Sequence, residues 1–128
     1  MTVAFWCVLI AIVLPILCAG LAKFALGGFR LSDNRDPRDF LDSLEGPARR
    51  AHAAQLNSFE ALPAFAAAVI IADIVGNAQQ VTMDVLAVMY ITSRLLYIIC
   101  YLADWATLRS LVWFVGLGLI AGFFFASI

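Results

Sequence analysis

Two stretches of this chain, Thr2 to Ala22 and Ser110 to Ile128, run without a single charged residue. Each is about 20 residues long, which at ~1.5 Å per residue crosses a ~30 Å hydrocarbon layer. Between them the apolar pattern continues with polar interruptions, over Pro47 to Val75 and Val81 to Leu108. The pattern predicts an all-α chain with four membrane-crossing helices, at about 2–25, 47–75, 81–104 and 108–127, and a polar loop at about 27–46.

Punctuation residues support these limits. Gly27-Gly28 breaks the first helix, and Pro47 suits the first turn of the second. Arg30 to Arg50 is the one sizeable polar segment, and its mixed charges around Pro37 favour a structured loop. Gly76 to Gln80 turns into the third helix, Asp104 to Thr107 turns into the fourth, and Pro63 predicts a kink in the second. No positively charged segment precedes Thr2 to Ala22, so it reads as a retained helix rather than a cleaved leader.

Polar residues inside the spans are the informative exceptions. Tyr90, Arg94, Tyr97, Tyr101 and Asp104 are spaced by four, three, four and three, which places them on one helical stripe. An arginine within a lipid-embedded helix needs a partner or a polar cavity. Arg50, Ala53, Asn57 and Glu60 form a second stripe on the preceding helix. In an antiparallel hairpin, equal depth sets Glu60 opposite Arg94, Asn57 opposite Tyr97, and Arg50 opposite Asp104. The sequence therefore predicts a Glu60–Arg94 charge pair. Such groups serve either as polar glue between helices or as the lining of a site, and three tyrosines exceed what one neighbouring helix readily satisfies. Arg109, at the start of the fourth helix, opposes the helix dipole; it either snorkels to the interface or belongs with Tyr101 and Asp104.

Composition agrees. With 64% hydrophobic residues in 128, the chain is a single integral membrane domain whose natural solvent is the lipid bilayer. Six of the eight Lys and Arg residues (Lys23, Arg30, Arg35, Arg38, Arg49, Arg50) lie in or beside the first loop, and Arg109 lies at the third. The positive-inside bias makes loops one and three cytoplasmic. These basic residues are grouped in one loop and interleaved with acids, so the charge gives no sign of a nucleic-acid partner and none is expected. Cys7, Cys18 and Cys100 fall in apolar spans and read as small packing residues. His52 reads as an interface residue, Asp73 and Asp84 as solvated flanks of the second loop. No cluster has metal-ligand spacing, and no phosphate loop or nucleophile elbow appears. A four-helix drug exporter would need a carboxylate on the first helix, and Thr2 to Ala22 has none.

Gln55-Leu56-Asn57-Ser58-Phe59-Glu60 with Pro63 resembles the Gln-x-Asn-x-x-Glu…Pro signature of the membrane-associated proteins in eicosanoid and glutathione metabolism. Arg94-x-x-Tyr97-x-x-x-Tyr101, followed by Arg109, resembles the same family's signature on helices three and four. The resemblance implies a homotrimer of four-helix bundles with glutathione bound between neighbouring subunits near the cytosolic face. It places Arg109 as the catalytic residue that stabilises the glutathione thiolate. Asn57, Glu60, Arg94, Tyr97, Tyr101 and Gln55 would line the pocket, with Lys23 as a further basic contact. Ala53 stands where the eukaryotic enzymes carry an arginine that holds a glutathione carboxylate, and Arg49 or Arg50 could reach the same group. The long first loop resembles bacterial members, which implies a bacterial inner membrane. The implied activity is a glutathione transferase or peroxidase acting on hydrophobic small-molecule electrophiles; the alternative is a non-catalytic lipid-binding or scaffold protein of the same fold.

Overall fold

The computed structural model describes residues Met1 to Ile128 and is entirely helical. α1 (Val3–Gly20) continues through a wider π turn (Leu21–Ala25). A 3-10 turn (Leu31–Arg35) and a short α2 (Pro37–Asp42) follow, then α3 (Gly46–Val75), α4 (Gln80–Leu102) and α5 (Ala106–Ala126). Counting α1 with its π turn, the four long helices have 23, 30, 23 and 21 residues. Even the shortest extends ~31 Å, enough to cross the hydrocarbon core.

The helix ends follow from local chemistry. Thr2 Oγ1 accepts from the Phe5 N–H at 3.4 Å. Asp84 Oδ1, from α4, accepts the Ala4 N–H at 2.9 Å and the Gln80 amide at 2.8 Å. Asp84 is thus not the free solvated carboxylate that its place beside a loop predicts. It satisfies an orphan donor at the N-terminus of α1, where a negative charge also suits the helix dipole. α3 ends at Gly76, whose φ of 73° is the left-handed conformation that a side chain disfavours. Pro63 lies inside α3, which continues as one element to Val75.

The first loop is ordered by its own polar side chains. Asp33 Oδ2 accepts from the Arg30 N–H at 2.8 Å, and Asp36 Oδ1 caps α2 through the Asp39 N–H at 3.1 Å. A Cβ on Gly27 would lie 2.2 Å from the Ala22 carbonyl oxygen, so only glycine fits where the chain leaves the π turn. Leu41 of α2 then packs with Ala22 and Ala51, pinning the loop to α1 and α3.

α3 and α4 form the central pair, each touching both α1 and α5; α1 lies chiefly on α3, and α5 on α4. The main core lies toward the end that holds both chain termini. There Phe65 stacks on Tyr90 with ring centroids 4.0 Å apart, and Phe123 meets Phe65 edge-on at 6.0 Å. Ala4, Cys7, Ala11, Ala68 and Ala72 let the helices close around this stack. All three cysteines are buried and unpaired. Only 27 of 128 residues are buried, while Ile74, Val81 and Phe125 are exposed by 78, 72 and 73%. Water would penalise such a surface, whereas a bilayer solvates it.

Candidate functional site

Arg94 projects from the middle of α4, and only 4% of its surface is exposed. Its Nη2 donates to Asn57 Oδ1 on α3 at 2.7 Å, and its guanidinium carbon lies 4.4 Å from the centre of the Tyr97 ring. The predicted Glu60–Arg94 ion pair does not form; the one acid–base contact within ion-pair distance is His52 with Asp42. The reason is the length of the side chain. Equal depth along two antiparallel helices compares backbone positions, whereas the Arg94 guanidinium sits at the tip of a long arm that runs toward the first-loop end. It therefore passes Glu60 and meets Asn57, one turn nearer that end.

Arg50 departs from expectation in a related way. It does not pair with Asp104; its Nε donates to the Leu102 carbonyl at 3.2 Å. The last carbonyls of a helix lack intrahelical donors, and Leu102 is the last residue of α4. Asp104 lies beyond, in a tight turn with φ 60°.

Toward the loop end, aromatic rings continue the row that Arg94 begins. The Tyr97 and Tyr101 rings meet edge to face, with centroids 5.7 Å apart and planes at 70°. The Arg109 guanidinium, from the first turn of α5, lies 4.3 Å from the centre of the Tyr101 ring. The short turn between α4 and α5 brings these two residues together. The result is a ladder of cation, ring, ring and cation along one side of the bundle.

Arg94, Tyr97 and Arg109 of this ladder border a cleft between α3 and α5 that contains two adjoining cavities, whereas Tyr101, expected to line the pocket, lines neither and reaches them only through Arg109. The deeper, of about 220 Å³, has Asn57, Glu60, Tyr90 and Arg94 on its polar side and Trp113, Leu117 and Ile120 of α5 on its apolar side. The outer, of about 230 Å³, is lined by Asn57, Tyr97, Arg109, Ser110, Trp113 and Phe114. Asn57 and Trp113 border both. Glu60 and Arg94 thus face one space with opposite charges and without neutralising each other. The sequence motifs do not single out Trp113, although it follows Arg109 by one helical turn and must share its face.

Three of the candidate residues lie elsewhere in the chain. Gln55 is on the outward side of α3, where its Oε1 lies 3.1 Å from His52 Nδ1, and both border a separate cavity of about 410 Å³ with Arg38 and Asp42. Two residues of separation from Asn57 turn Gln55 by about 200° around the helix, which accounts for its position. Arg50 is committed to the end of α4. Lys23, in the π turn, has its Nζ 5.0 Å from the Phe29 ring centre. No group of three or more His, Cys, Asp or Glu side chains converges as a metal site would require.

Four apolar helices of spanning length with a polar cleft between α3 and α5 define an integral membrane helical bundle. The model of the MAPEG family matches residues 3–128, and the chain belongs to that family of eicosanoid and glutathione metabolism. Comparison with curated proteins and with solved structures finds no match.

Proposed function

We propose that this protein is a membrane-bound glutathione transferase, with peroxidase-like capacity, that attacks apolar electrophiles through a thiolate stabilised by Arg109. The observation that carries this reading is the unpaired arrangement of Glu60, Arg94 and Arg109 around one cleft. The glutamyl end of glutathione bears an ammonium and a carboxylate, which complement Glu60 and the Arg94–Asn57 pair. Its thiol then falls toward Arg109. A thiol of pKa ~8.5 must be lowered by ~2 units to be largely ionised at neutral pH, which requires ~2.7 kcal/mol. One guanidinium at ~4 Å under an effective dielectric near 20 supplies ~4 kcal/mol. Electrostatics alone is therefore sufficient, and no general base is needed. Trp113, Leu117 and Ile120 offer the apolar co-substrate a wall continuous with the bilayer.

The assembly we propose is a homotrimer in a bacterial inner membrane, with the first and third loops cytoplasmic. Glu60 is exposed within one chain, midway along a membrane-crossing helix. A carboxylate against lipid is costly, and a neighbouring copy would cover it, approaching closely over the exposed Ala64 and Ala67.

The test is conjugation of a chromogenic apolar electrophile by the purified protein in mild detergent. Turnover that depends on glutathione and on Arg109 supports the proposal; no turnover above the uncatalysed rate contradicts it. The second reading, a non-catalytic lipid-binding member of the family, draws on the apolar row Trp113, Leu117 and Ile120. It gains ground if the cleft takes up a fluorescent fatty acid but glutathione does not bind.

A further inference from the structure

Arg109 is poorly placed by its own helix. It stands in the first turn of α5, where the unpaired N–H groups repel a positive charge. No carboxylate lies within ion-pair distance of it. An arginine so placed, with several free torsions, would be drawn away from the cleft toward water and headgroups. Yet its guanidinium is held at the mouth of the outer cavity, against the face of Tyr101.

The ring itself is braced. Tyr97 meets Tyr101 edge to face, and Tyr97 carries on its own face the Arg94 guanidinium, which Asn57 anchors at 2.7 Å. The chain has three tyrosines, and only the Tyr90 hydroxyl bonds within it, to the Ala61 carbonyl at 3.5 Å. Tyr97 and Tyr101 therefore act on their arginines through ring faces, which attract cations by their quadrupole. We infer that Tyr101 is a positioning residue for Arg109: its ring face, and not its hydroxyl, fixes the guanidinium over the thiol site, with Tyr97 and Arg94 bracing the ring from the bundle interior. This inference rests on the reading of Arg109 as the thiolate-stabilising group.

The charged and titratable groups around the Arg109 head are Tyr97 and Tyr101 on α4, with Arg94 and Glu60 deeper in the cleft and Asp104 on the turn. None supplies a competing ion pair. Removing the Tyr101 ring thus releases the guanidinium without transferring it to a carboxylate. A purely structural role for Tyr101 would lower stability and leave the ionisation of a bound thiol where it was.

The experiment compares the full-length protein with Tyr101→Leu and Tyr101→Phe in the same detergent. Modification of Arg109 by phenylglyoxal, followed by peptide mass spectrometry, reads the hold on the guanidinium without any thiol. It should run about fivefold faster in Tyr101→Leu and within about twofold of the parent in Tyr101→Phe. With glutathione and a chromogenic electrophile, Tyr101→Leu should lower kcat about tenfold and move the alkaline rise of the pH–rate profile up by about one unit. Its KM for glutathione should change far less, and Tyr101→Phe should recover most of both losses. Parent-like labelling and pH profile in Tyr101→Leu would overturn the inference, as would a Phe variant as impaired as Leu, which would make the hydroxyl the working group. If the parent shows no glutathione chemistry at all, the proposed function falls, and the labelling rates alone decide whether the ring holds Arg109. Should Tyr101→Leu fail to fold, Tyr101→Met, closer in length and flexible, carries the same comparison.

Discussion

The half of the bundle that holds the chain termini and the half that holds the first loop are built from the same helices in opposite ways. In the first, Phe65, Tyr90 and Phe123 stack among small residues and leave little space. In the second, α3 and α5 part around two cavities bordered by Asn57, Glu60, Arg94 and Arg109. Tyr90 is the boundary, since it packs into the core on one side and borders the deeper cavity on the other. One half supplies packing, and the other keeps open space beside its polar groups. The packed half fixes the relative position of α3 and α4, and that rigidity allows the other half to keep charged groups apart without collapsing.

The largest expected effect is on the packed half. Phe65 is fully buried, and Phe65→Ala should destabilise the chain by about 3–5 kcal/mol through lost burial and the cavity left behind. Thermal unfolding in detergent checks this, and a parent-like melting curve would show that the ring stack is not the structural anchor. Arg109→Ala addresses the other half. Turnover should fall ~100-fold or more, as loss of one charge contact to the reacting group implies, with unfolding temperature unchanged. Arg109→Lys should restore only part of the rate, because an ammonium keeps the charge and loses the planar fork.

Smaller effects sharpen the boundary. Asn57→Ala should cost about 1.5–3 kcal/mol, because the buried Arg94 loses its hydrogen-bond acceptor. Glu60→Ala removes no partner of Arg94, so chemical denaturation should show little change in stability while glutathione binds more weakly. Equal losses of stability in the two variants would mean that Glu60 supports Arg94 after all. At the far end of the molecule, Asp84→Ala should cost only about 1 kcal/mol, the value of a helix cap. Its signature is faster amide exchange in the first turn of α1, with turnover unaffected.

Much of this architecture can be read from the chain, because hydropathy reports membrane crossing directly and Pro47 and Gly76 mark the ends of α3. Other features depend on distances that no local pattern encodes. α2 is six residues long, too short for a helical period to declare itself. The Asp84 cap joins residues 80 apart in sequence. For the site, stripe spacing correctly groups Arg94, Tyr97 and Tyr101 on one face of α4, but it cannot say how far an arginine reaches, and so it pairs Arg94 with Glu60 in place of Asn57. Gln55 is the instructive case. Its motif joins it to Asn57, whereas helical geometry alone already sets the two on different sides of α3.

Arg109 is proposed as the group that ionises a bound thiol. Ultraviolet difference absorbance of the detergent-solubilised protein titrated with glutathione at neutral pH measures this without an electrophile or any turnover. If Arg109 ionises the thiol, the parent shows a saturable thiolate band that is absent in Arg109→Ala although glutathione still binds. Glutathione bound by the parent without a thiolate band, or an equal band in Arg109→Ala, would contradict it.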